Sequence, residues 1–199
     1  MKSKTRLSAG ILILALGFAC PAYAKNSAKT EAMKATQSIE QNPSDPKGYY
    51  NRGVAEIELE QYDEAVKDFT KSIELEPKAS DTFFNRGLAY RLQKKDAEAI
   101  ADFSKAIEIF NDNFAYHYER CNARIVTADY DGAIADGSEM VRIAPKDPEG
   151  YFMRGLAAHL KGDETAGLAD AEKALALKNW HKGALRLKAE ITGAKTASS

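Results

Sequence analysis

Cysteine, proline and tryptophan are scarce: the 199-residue chain holds two, six and one of them. Two cysteines cannot build the disulfide framework that staples small exported domains. Six prolines and 13 glycines exclude a collagen-like or linker-like chain. No charge sign dominates. The formal net charge is −1, without the basic excess that nucleic-acid binders use to gather phosphates, so no nucleic-acid partner is expected. A membrane-spanning run is missing as well. The apolar run Leu7–Ala19 covers 13 residues, Pro21 blocks its extension, and a span needs about 20.

Catalytic constellations are equally thin. There is no Gly-rich phosphate loop, no Gly-x-Ser-x-Gly elbow, no His-x-x-x-His pair and no Cys-x-x-Cys. His117, His159 and His181 stand singly, so no metal ligand set forms at helical spacing. No catalytic residue, metal or other cofactor is expected, and the chain reads as a non-enzyme.

What is present begins with an address. Lys2, Lys4 and Arg6 precede the apolar run, and Ala22-Tyr23-Ala24 offers the small-x-small pattern that a signal peptidase reads. Residues 1–24 are therefore expected to be a signal peptide cut after Ala24, which places the mature chain in the periplasm or outside the cell. The alternative is a lipoprotein anchored at Cys20. Cleavage lowers Lys plus Arg from 28 to 25 against 29 acids, giving a mature charge of −4 and leaving Cys121 as the single cysteine.

A 34-residue period runs through the rest. Arg52, Arg86, Arg120 and Arg154 follow it, as do Asp68, Asp102, Asp136 and Asp170, and the aromatics Tyr50, Phe84, Tyr118 and Phe152. Windows 46–79, 80–113, 114–147 and 148–181 tile the chain without an insertion. Each reads as two helices. Tyr49, Gly53 and Ile57 recur every four residues, and Ala65, Phe69 and Ile73 repeat the same spacing in the second half. Asp45-Pro46 and Asp147-Pro148 place a capping acceptor before a first-turn proline, and Asn113 and Ser80 are expected to cap the other two windows. Pro77 and Pro145 end second helices. Ala28 to Gln41 is expected to form an N-terminal capping helix within residues 25–45. Lys182 to Ile191 reads as a C-terminal capping helix with Ala184, Leu185, Leu187 and Ala189 inward, and Gly193–Ser199 closes residues 182–199 as a disordered tail.

The pattern resembles the tetratricopeptide repeat family. Tyr49, Gly53, Ala65, Phe69 and Pro77 carry the resemblance in the first window, and Phe83, Gly87, Ala99, Phe103 and Ala106 in the second. The later windows depart from it at His117, Gly137, Met140, Gly167 and Ala171, so their second helices are expected to pack more loosely. The resemblance implies an all-α, right-handed α-solenoid of four helix pairs. It also implies a concave groove, which on these positions would be lined by Tyr50, Val54, Phe84, Leu88, Arg91, Tyr118, Asn122, Phe152, Leu156 and His159. The partner it implies is a protein or peptide segment, the protein acting as an interaction scaffold. A small ligand or glycan stacked on the aromatic row is the alternative. The Lys/Asn clamp with which some relatives hold a C-terminal carboxylate is not visible. The Arg and Asp columns read as structural ion pairs between paired helices, either within a window or to the preceding one, with a basic ladder for an anionic ligand as the competing reading.

Overall fold

Two turn signals per window divide the chain into short helices that cannot bury their apolar stripes alone and so stack on their neighbours. The computed structural model describes residues 21–193, in which ten α-helices are the regular structure. They are α1 (Pro21–Gln41), α2 (Pro46–Glu58), α3 (Tyr62–Leu75), α4 (Ser80–Leu92), α5 (Asp96–Ile109), α6 (Phe114–Val126), α7 (Tyr130–Ile143), α8 (Pro148–Lys161), α9 (Glu164–Leu177) and α10 (Lys182–Thr192). Residues 1–20, which hold most of the expected signal peptide and Cys20, and the expected tail beyond residue 193 lie outside the described residues. No described helix is long and apolar enough to cross a membrane.

Four antiparallel pairs, α2–α3, α4–α5, α6–α7 and α8–α9, follow one another, with α1 packed on α2 and α10 on α9. Successive first helices also touch: α2 meets α4, α4 meets α6, α6 meets α8, and α8 meets α10. Successive second helices do not meet among the described residues. The first helices therefore line the inner, concave side of the solenoid and the second helices the outer side.

Caps explain the helix starts. Asp45, Asn113 and Asp147 each accept a bond from the backbone N–H two residues on, at 2.9–3.0 Å. Asp129, Asp163 and His181 do the same for α7, α9 and α10 from three residues back. Ser80 departs from its expected capping role. It is the first residue of α4, and its hydroxyl accepts from Tyr116 instead. Within the described residues α1 already runs from Pro21, upstream of the expected Ala28, and no helix breaker lies between Ala22 and Gln41. Leu185 is 45% exposed, whereas Ala184 and Leu187 are buried. It sits one period beyond Tyr151, where the earlier pairs supply a second helix as cover, and α10 has no such partner among the described residues.

Each pair turns through one residue with positive φ, again at the 34-residue period: Glu60 at 63°, Lys94 at 61°, Ala128 at 61° and Gly162 at 96°. Only the last is the residue type that adopts this conformation without steric cost.

The expected loose packing of the later pairs is overturned. In the first two pairs an aromatic ring on the second helix covers a glycine on the first: a Cβ on Gly53 would lie 2.9 Å from the Phe69 ring, and one on Gly87 2.7 Å from that of Phe103. In the third pair Gly137 replaces the aromatic, and the chain closes the gap with backbone. A Cβ on Gly137 would meet Arg154 Cβ at 2.7 Å and Cα at 2.9 Å. Met140 and Met153, both buried beside Cys121, Ala133 and Ala157, fill the remaining volume. In the fourth pair Gly155 and Gly167 bring α8 and α9 together so closely that a Cβ on either meets the other's carbonyl oxygen at 3.1 Å.

Candidate partner-binding face

The arginine column is consumed by the fold. Arg52, Arg86 and Arg154 each grip the aspartate 16 residues on in the same pair with two bonds of 2.6–2.8 Å. Arg120 grips Asp136 likewise, at 2.6 and 3.1 Å. The third nitrogen reaches back to a hydroxyl on the preceding second helix: Arg52 to Thr36 at 3.4 Å, Arg86 to Thr70 at 3.0 Å and Arg120 to Ser104 at 3.0 Å. One guanidinium thus ties its own two helices together and both to the preceding pair. Tyr49, Phe83 and Tyr151 lay their rings on Arg52, Arg86 and Arg154 at 5.7–6.0 Å. Every column arginine is committed to its aspartate with at least two nitrogens, and Arg86 has rings on both faces and all three nitrogens bonded, so the column serves helix pairing before any anion.

The third pair elaborates the scheme. His117 stands where the others have a ring, buried, with Nδ1 3.2 Å from Asp136 and Nε2 2.9 Å from the Asn111 carbonyl. Arg124 adds a further bond to Asp136 at 2.8 Å. Burial pushes the Asp136 carboxyl up, but the bonds from His117 and Arg120 and the charges of Arg120 and Arg124 outweigh it and hold the group below the ordinary aspartate value. Cys121 beside it is buried, donates to the Ala133 carbonyl at 3.4 Å, and has its thiol pushed up to about 12 by that burial, which makes it a packing residue rather than a nucleophile.

The expected groove residues divide into buried and open ones. Phe84 is 4% exposed and locked between Phe103 and Tyr116, with ring centroids at 5.6 and 4.8 Å, so it is core and not groove. Phe152 is covered by the closing helix: its ring lies 5.0 Å from that of His181, and a Cβ on Gly183 would touch it at 2.6 Å. Tyr50 leans edge-on against Phe69 at 5.9 Å, and its hydroxyl accepts from Asn85; burial, reinforced by the Asp81 charge, pushes that phenol up to about 12. Tyr118 is half-buried against the Cys121 cluster. The aromatic row is therefore mostly spent on packing.

Half-buried Val54, Leu88 and Leu156 remain on the first helices. Asn122 is half-buried too, its amide donating to the Tyr118 carbonyl at 3.1 Å. Arg91 crosses to Glu119 of the next first helix, and burial lowers its pKa. His159 pairs with Glu164 at 2.9 Å. A further column was not singled out from the sequence. Leu92, Val126 and Leu160, 34 residues apart, are 44%, 71% and 42% exposed at the ends of α4, α6 and α8. Each lies one turn beyond Leu88, Asn122 or Leu156 on the same helix face. The signal was available in the period itself, but an apolar residue at a helix end is easily read as core. Among the described residues no group of His, Cys, Asp and Glu is arranged to hold a metal ion.

The tetratricopeptide repeat family model matches residues 46–79 and 80–113, the first two pairs. No curated protein matches the sequence. Among solved structures, the chain is similar to YrrB, a tetratricopeptide repeat protein with an unusual peptide-binding site, at 20% identity and a TM-score of 0.72 over 81% of this chain and 84% of that one. It is similar to MamA at 16% identity and a TM-score of 0.73, covering 83% and 98%. It also resembles the first such domain of Spaghetti (RPAP3) bound to the HSP90 peptide SRMEEVD, at 22% identity and a TM-score of 0.55 over 58% and 91%. At these identities the likeness establishes the shared fold.

Proposed function

Two of the four helix pairs match the tetratricopeptide repeat model and the fold is that of solved repeat proteins, and we propose that the chain is an interaction scaffold of this kind, a non-catalytic adaptor that binds a segment of a partner protein along its concave face. The observation that carries this reading is the exposed aliphatic column Leu92, Val126 and Leu160, backed by Val54, Leu88 and Leu156 on the side where the first helices meet. Its chemistry suits aliphatic side chains of the partner, and the paired charges Arg91–Glu119 bridge two of the same helices, while His159 on a third pairs with Glu164 at the start of α9. The helices are pre-stacked, so ordering entropy is lost mainly by the bound segment. The peptide-binding site of YrrB and the peptide bound to the Spaghetti domain support the class of ligand and not its sequence.

The proposed site of action is the periplasm or cell envelope, after removal of residues 1–24. It rests on the basic start, the apolar run and Ala22-Tyr23-Ala24. Mass spectrometry of the exported chain tests it: a mature N-terminus at Lys25 is expected, and a lipid-modified Cys20 would replace a free adaptor by an anchored one. Binding is tested by a photo-cross-linking residue placed at Val126 or, as control, at Glu172 on the outer helix α9. The expected result is a discrete adduct from Val126 that is lost when Leu92 and Leu160 are both changed to Asp. Equal adducts from the two positions would remove the concave-face reading.

A further inference from the structure

Position by position, the residue one turn after each column arginine differs in chemistry in every helix pair. It is Glu56 in the first, Tyr90 in the second, Arg124 in the third and Ala158 in the fourth. Tyr90 lays its ring on Arg86 at 6.0 Å, Arg124 adds a second cation to Asp136, and Ala158 is buried and neutral. Glu56 is the exception, since it brings a second acid to a site that already holds one.

The geometry leaves that acid poorly served. The Glu56 side chain is only 12% exposed and that of Asp68 10%, so the two carboxyls share one nearly dry space between α2 and α3. Arg52 is committed to Asp68 with both of its short bonds and stands 3.9 Å from the nearer Glu56 oxygen. The other oxygen, Oε2, is buried with no hydrogen-bond partner among the described residues. On α3, Glu64 adds another negative charge nearby, and Lys67, which could offset it, is held by Glu64 at 2.8 Å. From α1 the side chain turned to this site is the neutral Thr36 hydroxyl, on Arg52. Two carboxylates facing one guanidinium carry an uncompensated charge away from water, and a proton on Glu56 removes it by letting the acid donate.

We propose that Glu56 is a proton-operated latch on the first helix pair, closed while its carboxyl is protonated against Asp68 and loosened when it ionises. Burial first, and the Asp68 charge second, push the Glu56 carboxyl up to about 7, against the opposing pull of Arg52. A folded-state value raised above the unfolded one contributes stability that is complete at acidic pH and is lost as pH rises through neutrality. The loosened element is the end of the solenoid that presents Tyr50 and Val54. The latch does not depend on what the concave face binds.

Two measurements on the full-length chain test it. Carbon-13 NMR of labelled glutamate carboxyls should show one group titrating near neutrality, and Glu56→Gln should remove that signal. Amide hydrogen exchange, corrected for intrinsic rates, should then show opening of α2 and α3 rising about tenfold between about pH 6 and pH 8.5 in the wild-type chain. In Glu56→Gln that rise should be absent, while α6 to α9 behave alike in both. The latch is overturned if Glu56 titrates in the ordinary glutamate range, or if exchange in α2 and α3 answers to pH identically in the two chains. The NMR titration is read on unaltered protein and stands even if the variant folds poorly.

Discussion

The first two helix pairs and the last two keep one register and pack by opposite means. In the former, a phenylalanine ring on the outer helix covers a glycine on the inner one. In the latter, small residues on the outer helix admit backbone, and the missing ring volume is made up by Met140 and Met153 or by direct approach of α8 to α9. Interiors are packed to constant density, so a repeat that loses a large side chain must gain volume elsewhere or bring its helices together. Departure from a family pattern is thus no measure of looseness. The charge sites differ in parallel, with an extra acid in the first pair and two extra basic side chains in the third.

The largest expected effect separates the charge sites. Asp136 pairs with Arg120 and Arg124 and contacts the His117 ring with a side chain only 1% exposed. Asp136→Ala should destabilise by about 3–5 kcal/mol in denaturant unfolding, and Asp102→Ala, which strands one guanidinium, by less. Equal losses would show that the third pair is not more tightly bound by its cluster. The pH responses should oppose each other as well. The lowered Asp136 pKa gives stability that is present above the ordinary aspartate value and lost as pH falls through the lowered one, whereas Glu56 loses its contribution on the alkaline side.

Restoring the family aromatic gives a sharper contrast. Gly137→Phe should cost about 3 kcal/mol or more, because Arg154 backbone already occupies the space. A raised melting temperature would mean that the later pairs are underpacked after all. Gly87→Leu, pressing on the flexible edge of Phe103, should cost about 1–3 kcal/mol. The smallest effect concerns the turns. Ala128→Gly should stabilise by about 0.5–1 kcal/mol, and Gly162→Ala should destabilise by about as much, since both positions hold positive φ. Thermal unfolding of the two variants side by side checks the sign.

The fold is legible in the chain because a 34-residue period forces every window into the same helix pair, and the Asp45, Asn113 and Asp147 caps lie within a few residues of each start. Partner choice within the arginine columns is not legible, since an arginine can reach forward or back along the stack. In the structure it does both, taking carboxylate in its own pair and hydroxyl in the preceding one. The groove is the least legible part. Phe84 and Phe152 share a column with Tyr50 and Tyr118, yet one is sealed by Tyr116 and the other by α10, neighbours that no single window contains. The exposed Leu92, Val126 and Leu160 column is hidden for the converse reason, because apolar character alone does not tell a helix end that faces solvent from one that faces core.

The central claim is that this aliphatic column is the recognition surface. Selection of a phage-displayed random peptide library against the full-length chain tests it most directly, with the enriched peptide then titrated against variants. The expected result is a peptide with spaced aliphatic residues whose affinity falls at least about tenfold in Val126→Asp, a loss of about 1.4 kcal/mol, while the Glu172→Ala control on the outer helix is unchanged. An enriched peptide bound equally by Val126→Asp and wild-type protein would contradict it.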